Sequence, residues 1–178
     1  MRTRRGTWIL AMTAAAALSA RTAAADETRT TAGTTAGTTP IARRIVVSLP
    51  DRKLALVEND ELVRIYPVAV GAPVSPSPVG TFNVVTRVAH PTYYKPGKVV
   101  GPGAHNPIGT RWIGLSAKGY GIHGTDNPGS IGHAKSHGCI RLRNEDVEQL
   151  FERVRAGDVV ELHAERTPEI ERLFTEAR

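Results

Sequence analysis

Cysteine is almost absent from this sequence, with one residue, Cys139, in 178. A single thiol excludes a fold held together by intramolecular disulfides. In an exported protein, an unpaired cysteine indicates an intermolecular bridge or a reactive thiol, and the ordinary alternative is a small buried hydrophobic side chain. Aromatic residues are also few, at 5%. No apolar run reaches the ~18 to 20 residues that a membrane-spanning helix needs, so no lasting membrane span is expected.

The N-terminus has the three parts of a secretory signal peptide. Arg2, Arg4 and Arg5 precede an apolar run over 8–18, and small residues follow up to Ala25. This order is typical of a cleavable leader. The apolar run has eleven residues and is too short for a stable anchor. We therefore expect cleavage after Ala25 and export to the periplasm or cell wall, with an uncleaved N-terminal anchor as the alternative.

Basic clusters are absent once the leader is set aside. The leader holds four of the 23 Lys and Arg residues and no acid, which leaves 19 basic against 17 acidic residues and a net charge of +2. No remaining segment interleaves Lys or Arg with aromatic residues, as nucleic-acid-binding surfaces do. We therefore expect no nucleic-acid partner.

Composition divides the chain into four segments. The signal peptide over 1–25 is followed by a flexible Thr/Ala/Gly linker over 26–43, which has almost nothing to bury. The remaining segments are a folded domain over 44–163 and a C-terminal helical tail over 164–178.

The folded domain is predicted to be mainly β. Runs such as IVVSL, KLALVEND and ELVRIYPVAVG are separated by the turn formers Pro50-Asp51 and Asn59-Asp60, as in successive antiparallel hairpins. The Pro- and Gly-rich stretch over 90–109 predicts a long ordered loop without regular structure, of the kind that often carries function. The segment DVVELH predicts a closing strand.

Two helices complete the predicted fold. The first follows the cysteine, with Asn144 as its N-cap and Gly157 at its end. Its apolar positions have the helical spacing i, i+3, i+4, i+7: Val147, Leu150, Phe151 and Val154. A second, short helix begins at Pro168 with Thr167 as its cap. Both apolar stripes predict packing onto the sheet.

Three of the six histidines, His123, His133 and His137, lie within sixteen residues of Cys139. A thiol of ordinary pKa is only a few per cent thiolate at neutral pH, so a nucleophilic cysteine needs a base within hydrogen-bond reach. His123 is the best candidate, because the strand YGIH delivers it and the turn-rich residues after it can bring the chain back. His137 would face the same side as Cys139 only on a regular backbone, which Gly138 interrupts.

The glycine before the cysteine indicates a further requirement of acyl-transfer chemistry. Gly138 permits a strained turn that exposes consecutive N–H groups, so the N–H groups of Gly138 and Cys139 are candidate donors to an oxyanion. A histidine base also needs an acceptor for its second ring nitrogen. Asp126 and the carbonyl of Gly124 are both near enough to His123 in sequence.

Other roles compete for these residues. A zinc site could use His123, His133, His137 and Cys139. However, histidines four residues apart face together only on a helix, which this Gly-, Pro- and Ser-rich stretch disfavours. We therefore expect no metal and no cofactor. His133 could equally cap a loop, and Arg141 is either a solvated charge or a carboxylate clamp beside the thiol.

In combination, these motifs resemble the L,D-transpeptidase catalytic domain, the YkuD-like family of bacterial cell-wall enzymes. The resemblance runs from about residue 45 to 162, and its most specific parts are YGIHGT and SHGCIRLRNEDVEQL. The strands IVVSL and LALVEND, the segments YPVAVG and NPIGTRWIGLS, and SPVGTF in place of the family's usual Thr-Pro-x-Gly-x-Phe also match. The resemblance implies a YkuD-like mixed β-sandwich or barrel-like domain, with one main helix after the cysteine and a short C-terminal helix.

The resemblance also implies a role for each motif residue. Cys139 is the nucleophile and His123 the base, oriented by the Gly124 carbonyl instead of by Asp126. Three more residues would shape the site and the oxyanion hole: Ser136, His137 and Gly138. Arg141 would be the motif arginine near the acyl-donor pocket.

Family enzymes cleave a tetrapeptide stem of peptidoglycan after its third residue, release D-alanine and form a thioester. They pass the acyl group to an amine of another stem, giving a 3→3 cross-link, or to a lipoprotein lysine. The resemblance therefore implies an exported peptidoglycan L,D-transpeptidase with stem peptides as partners and a lipoprotein as a further acceptor. Two alternatives stay open: hydrolysis of the same thioester, which would make an L,D-carboxypeptidase, and a non-catalytic wall-binding module.

Overall fold

A computed structural model describes residues 41–103 and 105–175. The predicted leader and nearly all of the predicted linker lie outside these residues. Within the described ranges, no helix has the length and apolar character needed to cross a membrane.

Strands dominate the described residues, as predicted. The strands are β1 (Arg43–Ser48), β2 (Lys53–Glu58), β3 (Glu61–Pro67), β4 (Val70–Gly71), β5 (Gly80–Ala89), β6 (Tyr93–Lys95), β7 (Lys98–Val100), β8 (Arg111–Leu115), β9 (Gly121–His123), β10 (Ala134–Ser136), β11 (Ile140–Arg141) and β12 (Val159–His163). The helices are α1 (Asn144–Arg153), α2 (Pro168–Thr175) and a 3₁₀ turn over Pro128–Ser130. The predicted fold class, mainly β with one helix after the cysteine and a short C-terminal helix, is confirmed.

Eight strands form one mixed sheet in the order β11-β9-β8-β5-β12-β1-β2-β3. The first three strands of the chain pair as antiparallel hairpins, as predicted. Asn59 and Asp60 adopt φ angles of 51° and 63° in the second turn, as a two-residue type I′ hairpin turn requires.

The strand predicted from DVVELH lies inside the sheet. Strand β12 pairs in parallel with β1 and antiparallel with β5. Val160 and Leu162 project from the same face of the strand, and both are buried in the large core. This strand therefore joins the N-terminal hairpins to the half of the sheet that carries β9 and β11.

The prediction of an irregular loop over 90–109 is wrong in part. Strands β6 and β7 form a small separate hairpin, and Gly97 in its turn has a φ of 75°. A Pro-Gly pair at the centre of a turn suits the type II conformation, in which the second residue needs a positive φ. Arms of three residues are too short to show a sequence periodicity.

Core residues lie on both faces of the strands β1 and β2, because successive side chains point to opposite sides. Ile45 and Val47 join a large core with Val147 and Leu150 of α1. Val46 belongs to a second core on the other face, which α2 covers with Ile170 and Phe174. Both helices therefore pack onto the sheet, as their apolar stripes predict.

The predicted ends of the first helix need correction. Arg143 occupies the N-cap position, Asn144 is the first helical residue, and the helix ends at Arg153 with Val154 as C-cap. Gly157 lies in the turn after the helix, with a φ of 95°. The second helix matches its prediction, since Thr167 Oγ1 accepts a hydrogen bond from the N–H of Ile170.

Candidate active site

The pairing of two short strands brings the predicted nucleophile and base together. Strands β9 and β11 run in parallel, with Ile122 opposite Ile140 and His123 opposite Arg141. Cys139 immediately precedes β11, so this register places it beside the start of β9. Cys139 and His123 both line one cavity of about 940 Å³.

His123 is held in a defined orientation. Its ring is buried, with the residue 4% exposed, and Nδ1 lies 2.5 Å from the carbonyl oxygen of Gly124. Because a carbonyl oxygen can only accept a hydrogen bond, Nδ1 carries the proton and Nε2 has the free lone pair. Of the two acceptors predicted from sequence, the Gly124 carbonyl is the one in contact. Asp126 is exposed and does not line the cavity.

Burial favours the neutral forms of both groups. It lowers the pKa of His123 to about 4, an effect that the Gly124 hydrogen bond opposes and the charge of Arg141 reinforces. Burial also raises the pKa of the Cys139 thiol, against smaller opposite effects of a Gly121 backbone hydrogen bond and the Arg141 charge. At neutral pH the free site therefore holds a thiol and a neutral imidazole.

Hydrogen bonds of Ser136 fix the loop before the thiol. Its hydroxyl donates to the carbonyl of Cys139, at 2.6 Å, and accepts from the N–H of Gly138, at 3.0 Å. Gly138 has a φ of 105°, and a Cβ there would lie 2.5 Å from Cε1 of Tyr120. The glycine is therefore required by both its backbone angle and its close contact with Tyr120.

The same hydrogen bonds correct part of the oxyanion prediction. The Gly138 N–H already donates to Ser136 Oγ and is not available to a substrate oxygen. Of the two predicted donors, this leaves the N–H of Cys139. Ser136 and Gly138 thus shape the loop, and the contact of Gly138 with an oxyanion is not supported by this geometry.

His137 and Arg141 also line the cavity. His137 is exposed, whereas Nε of Arg141 is buried and has no hydrogen-bond partner among the described residues. Backbone hydrogen bonds between Arg141 and Ala69 hold the chain on both sides of this side chain. The arginine therefore presents a cationic group with unused hydrogen-bonding capacity at the cavity.

The remaining sequence candidates lie elsewhere. His133 is exposed and does not contribute to the cavity lining. In the part of the chain that the structure describes, no three His, Cys, Asp or Glu side chains are grouped so that they could hold a metal ion.

Asn144, which the sequence predicts as the N-cap of α1, has a different role in the structure. The side-chain oxygen of Asn144 accepts hydrogen bonds from the N–H groups of Thr110, at 3.3 Å, and Thr125, at 3.2 Å. It therefore ties the start of α1 to the two segments that flank His123 instead of capping the helix. The helix-cap pattern gave a reasonable local reading, because nothing in the sequence shows that two distant loops compete for this oxygen.

Comparison with known proteins identifies the family of this domain. The family model of the YkuD L,D-transpeptidase catalytic domain matches residues 42–162. The chain is 46% identical over 107 residues to YkuD of Bacillus licheniformis, covering 60% of this chain and 57% of that protein. It is 36% identical over 118 residues to YqjB of Bacillus subtilis, covering 64% and 66%. The names of both relatives assign them to the L,D-transpeptidases, and the chain thus spans less than two thirds of each relative's length.

A solved structure shows the same fold. L,D-transpeptidase 3 from Mycobacterium tuberculosis, in complex with a faropenem-derived adduct, has a TM-score of 0.57 and 23% sequence identity, covering 69% of this chain and 60% of that chain. The family match covers most of the described domain. The chain therefore belongs to the YkuD family of L,D-transpeptidase catalytic domains.

Proposed function

We propose that the protein is an exported peptidoglycan L,D-transpeptidase with Cys139 as nucleophile and His123 as general base. The observation that carries this proposal is the hydrogen bond between Nδ1 of His123 and the carbonyl oxygen of Gly124, in a residue that lines the same cavity as Cys139. Because the carbonyl oxygen can only accept, Nε2 of His123 is the ring nitrogen that is free to take a proton. A thiol that shares a cavity with an oriented imidazole supplies the nucleophile and the base that acyl transfer requires.

The first half-reaction forms a thioester. As Sγ of Cys139 attacks the carbonyl carbon after the third stem residue, its proton moves to Nε2 of His123 and the carbonyl oxygen becomes an oxyanion facing the Cys139 N–H. Collapse of this intermediate breaks the C–N bond, and the imidazolium returns the proton to the departing D-alanine nitrogen. The low pKa of His123 ensures that Nε2 is unprotonated when substrate arrives.

The second half-reaction releases the acyl group. An acceptor amine attacks the thioester carbonyl and gives a proton to Nε2, the C–S bond breaks, and the proton returns to Sγ. The product is a 3→3 cross-link when the amine belongs to a second stem, or a wall-anchored protein when it belongs to a lipoprotein lysine. Water in place of the amine would give hydrolysis.

The charge of the cavity supports an anionic peptide as substrate. Among the lining residues that the structure describes, Lys95 and Arg141 are cationic and none is Asp or Glu. Stem peptides carry free carboxylates. We assign Arg141 to the carboxylate of the leaving D-alanine, because guanidinium groups bind carboxylates with strong, directional hydrogen bonds.

Export belongs to the same proposal. The leader predicted over 1–25 would deliver the domain to murein outside the cytoplasmic membrane, in the periplasm or cell wall.

The decisive experiment supplies the purified protein with a disaccharide tetrapeptide and measures D-alanine release and product masses. We expect D-alanine together with cross-linked dimers, and neither product with Cys139→Ala. Tripeptide without dimers would indicate a carboxypeptidase. A Cys139→Ala protein with full D-alanine release would overturn the proposal.

Exposure to faropenem tests the thiol separately from turnover. Since the mycobacterial structural neighbour carries a faropenem-derived adduct, we expect a covalent mass increase located on Cys139. Absence of both adduct and turnover in the folded protein would favour a wall-binding module.

A further inference from the structure

Asn144 lies at the end of a hydrogen-bond chain that leads to the candidate base. Its Oδ1 accepts from the N–H of Thr125, at 3.2 Å. This N–H belongs to the same rigid peptide group as the carbonyl of Gly124, which lies 2.5 Å from Nδ1 of His123. Because the peptide group is planar, fixing its N–H also fixes the direction of its carbonyl.

The preceding peptide group, His123–Gly124, is held as well. The carbonyl of His123 accepts from the N–H of Leu142, and the Gly124 N–H donates to the carbonyl of Arg111. These bonds leave the Gly124–Thr125 peptide group free to rotate. The hydrogen bond from the Thr125 N–H to Asn144 prevents this rotation. The second bond of Asn144, from the Thr110 N–H, anchors the acceptor oxygen itself.

Packing around Oδ1 of Asn144 explains why residue 124 is a glycine, whereas its backbone angles do not. Gly124 has no positive φ, so its conformation would accept any residue. However, a Cβ at Gly124 would lie 2.2 Å from Oδ1 of Asn144, and a Cβ at Gly109 would lie at the same distance from it. Both glycines therefore leave the space that this oxygen fills.

We infer that Asn144 is a positioning residue that sets the tautomer of His123 through the Gly124–Thr125 peptide group. The role depends on an acceptor oxygen at this place, because only Oδ1 makes the contacts. The inference rests on the proposed function of His123 as base, but the tautomer itself can be measured without any substrate.

The test compares three variants. Asn144→Leu keeps the approximate shape and removes the acceptor, Asn144→Asp keeps an acceptor oxygen, and Asn83→Leu is the matched control. Asn83 makes one side-chain hydrogen bond, to the carbonyl of Gly157, and does not line the cavity. Long-range ¹H–¹⁵N spectra of the histidine rings report the tautomer of His123 in each folded protein.

We expect Nδ1–H in the wild type, in Asn144→Asp and in Asn83→Leu, and a mixture of tautomers in Asn144→Leu. In the D-alanine assay, kcat of Asn144→Leu should fall about 10- to 100-fold, by analogy with the loss of a hydrogen-bond partner that orients a metal-binding histidine, with KM little changed. An unchanged tautomer in a folded but destabilised Asn144→Leu would overturn the inference and leave a structural role.

A second route covers the case in which Asn144→Leu does not fold. In Gly124→Ala, the new methyl group displaces Oδ1 of Asn144, so this variant should show the same mixture of tautomers. A unique Nδ1–H tautomer in folded Gly124→Ala would overturn the inference. The tautomer could change in Asn144→Leu even if the wild type releases no D-alanine. That result would uphold the positioning role and refute the proposed function.

Discussion

Trp112 and His123 lie directly opposite each other on the antiparallel strands β8 and β9, and their rings stack with centroids 5.5 Å apart and planes inclined by 19°. The stack follows from the register, because opposed residues project from the same face of a sheet. A Cβ at Gly121 would lie 2.7 Å from the indole, so the glycine makes room for it. Trp112 thereby excludes water from one face of the imidazole.

Replacing Trp112 by alanine should therefore raise the pKa of His123. Burial lowers that pKa to about 4 from an ordinary value of 6.5, and an open ring face restores part of the hydration of the imidazolium. An NMR titration of the ring would measure the shift. Trp112→Phe, which retains an aromatic face, is the control and should stay near the wild-type value. A pKa that stays near 4 in Trp112→Ala would show that the burial comes from other neighbours.

The same pKa predicts how stability depends on pH. The unfolded chain binds a proton at His123 below about pH 6.5, whereas the folded protein resists protonation until about pH 4. Since the unfolded state binds more protons in this window, stability falls as the pH falls from 6.5 to 4 and is fully present above 6.5. By pH ~4.5 the loss from this group is about 2 to 3 kcal/mol.

Urea unfolding of the wild type and of His123→Gln at about pH 7 and pH 4.5 would measure this loss. Carboxylates such as Asp51, whose pKa is lowered by Ser48 and Arg166 despite its partial burial, weaken both proteins on acidification and cancel in the comparison. The wild type should lose more stability than His123→Gln over this interval. Equal losses would mean that the folded protein protonates His123 at an ordinary pH.

Local signals predict much of this fold, because the hairpins and the helix after Cys139 are specified by nearby residues. Asn59 and Asp60 fix their turn, and the spacing of Val147 and Leu150 specifies a helix that buries them. Strand β12 shows the limit of such signals. Its central position depends on parallel pairing with β1, more than a hundred residues earlier in the chain, and no local pattern encodes that pairing.

In the candidate site, too, local motifs predict some features, and others depend on tertiary contacts. The motifs YGIHGT and SHGCIRLRN predict the part of the cavity lining that His123, His137, Cys139 and Arg141 form. The roles that depend on contacts between segments were missed or misassigned. Asn144 accepts from two loops 34 and 19 residues away, and the Gly138 N–H is taken by a side chain. Hydrogen-bond competition of this kind is decided by tertiary structure, not by residue type.

Gly138 offers a test of the loop before the thiol, with Gly132 as its matched control. Both have positive φ angles, 105° and 84°, but a Cβ at Gly132 would meet nothing within 4 Å, whereas at Gly138 it would lie 2.5 Å from Tyr120. Gly132→Ala should therefore cost about 1 to 2 kcal/mol of unfolding free energy, from backbone strain alone. Gly138→Ala should cost more and should slow the reaction of Cys139 with faropenem. Equal costs would show that Tyr120 moves aside freely.

Lys95 provides the test of the cavity's charge. It lines the cavity and lies directly opposite Lys98 in the β6–β7 hairpin, an arrangement that costs stability through like-charge repulsion. Lys95→Glu should therefore stabilise the hairpin while weakening the binding of an anionic peptide. We expect KM for the tetrapeptide donor to rise about tenfold, a loss of about 1.4 kcal/mol, with a smaller change in kcat.

The control for this charge reversal is Lys53→Glu, at the exposed start of β2 and away from the cavity, which should leave KM unchanged. Added salt should reduce the difference between Lys95→Glu and the wild type, because screening weakens interactions between exposed charges. A KM that does not respond to Lys95→Glu would mean that Lys95 does not bind the carboxylates of the donor. Arg141 would then be the remaining cationic residue of the described cavity lining that could bind them.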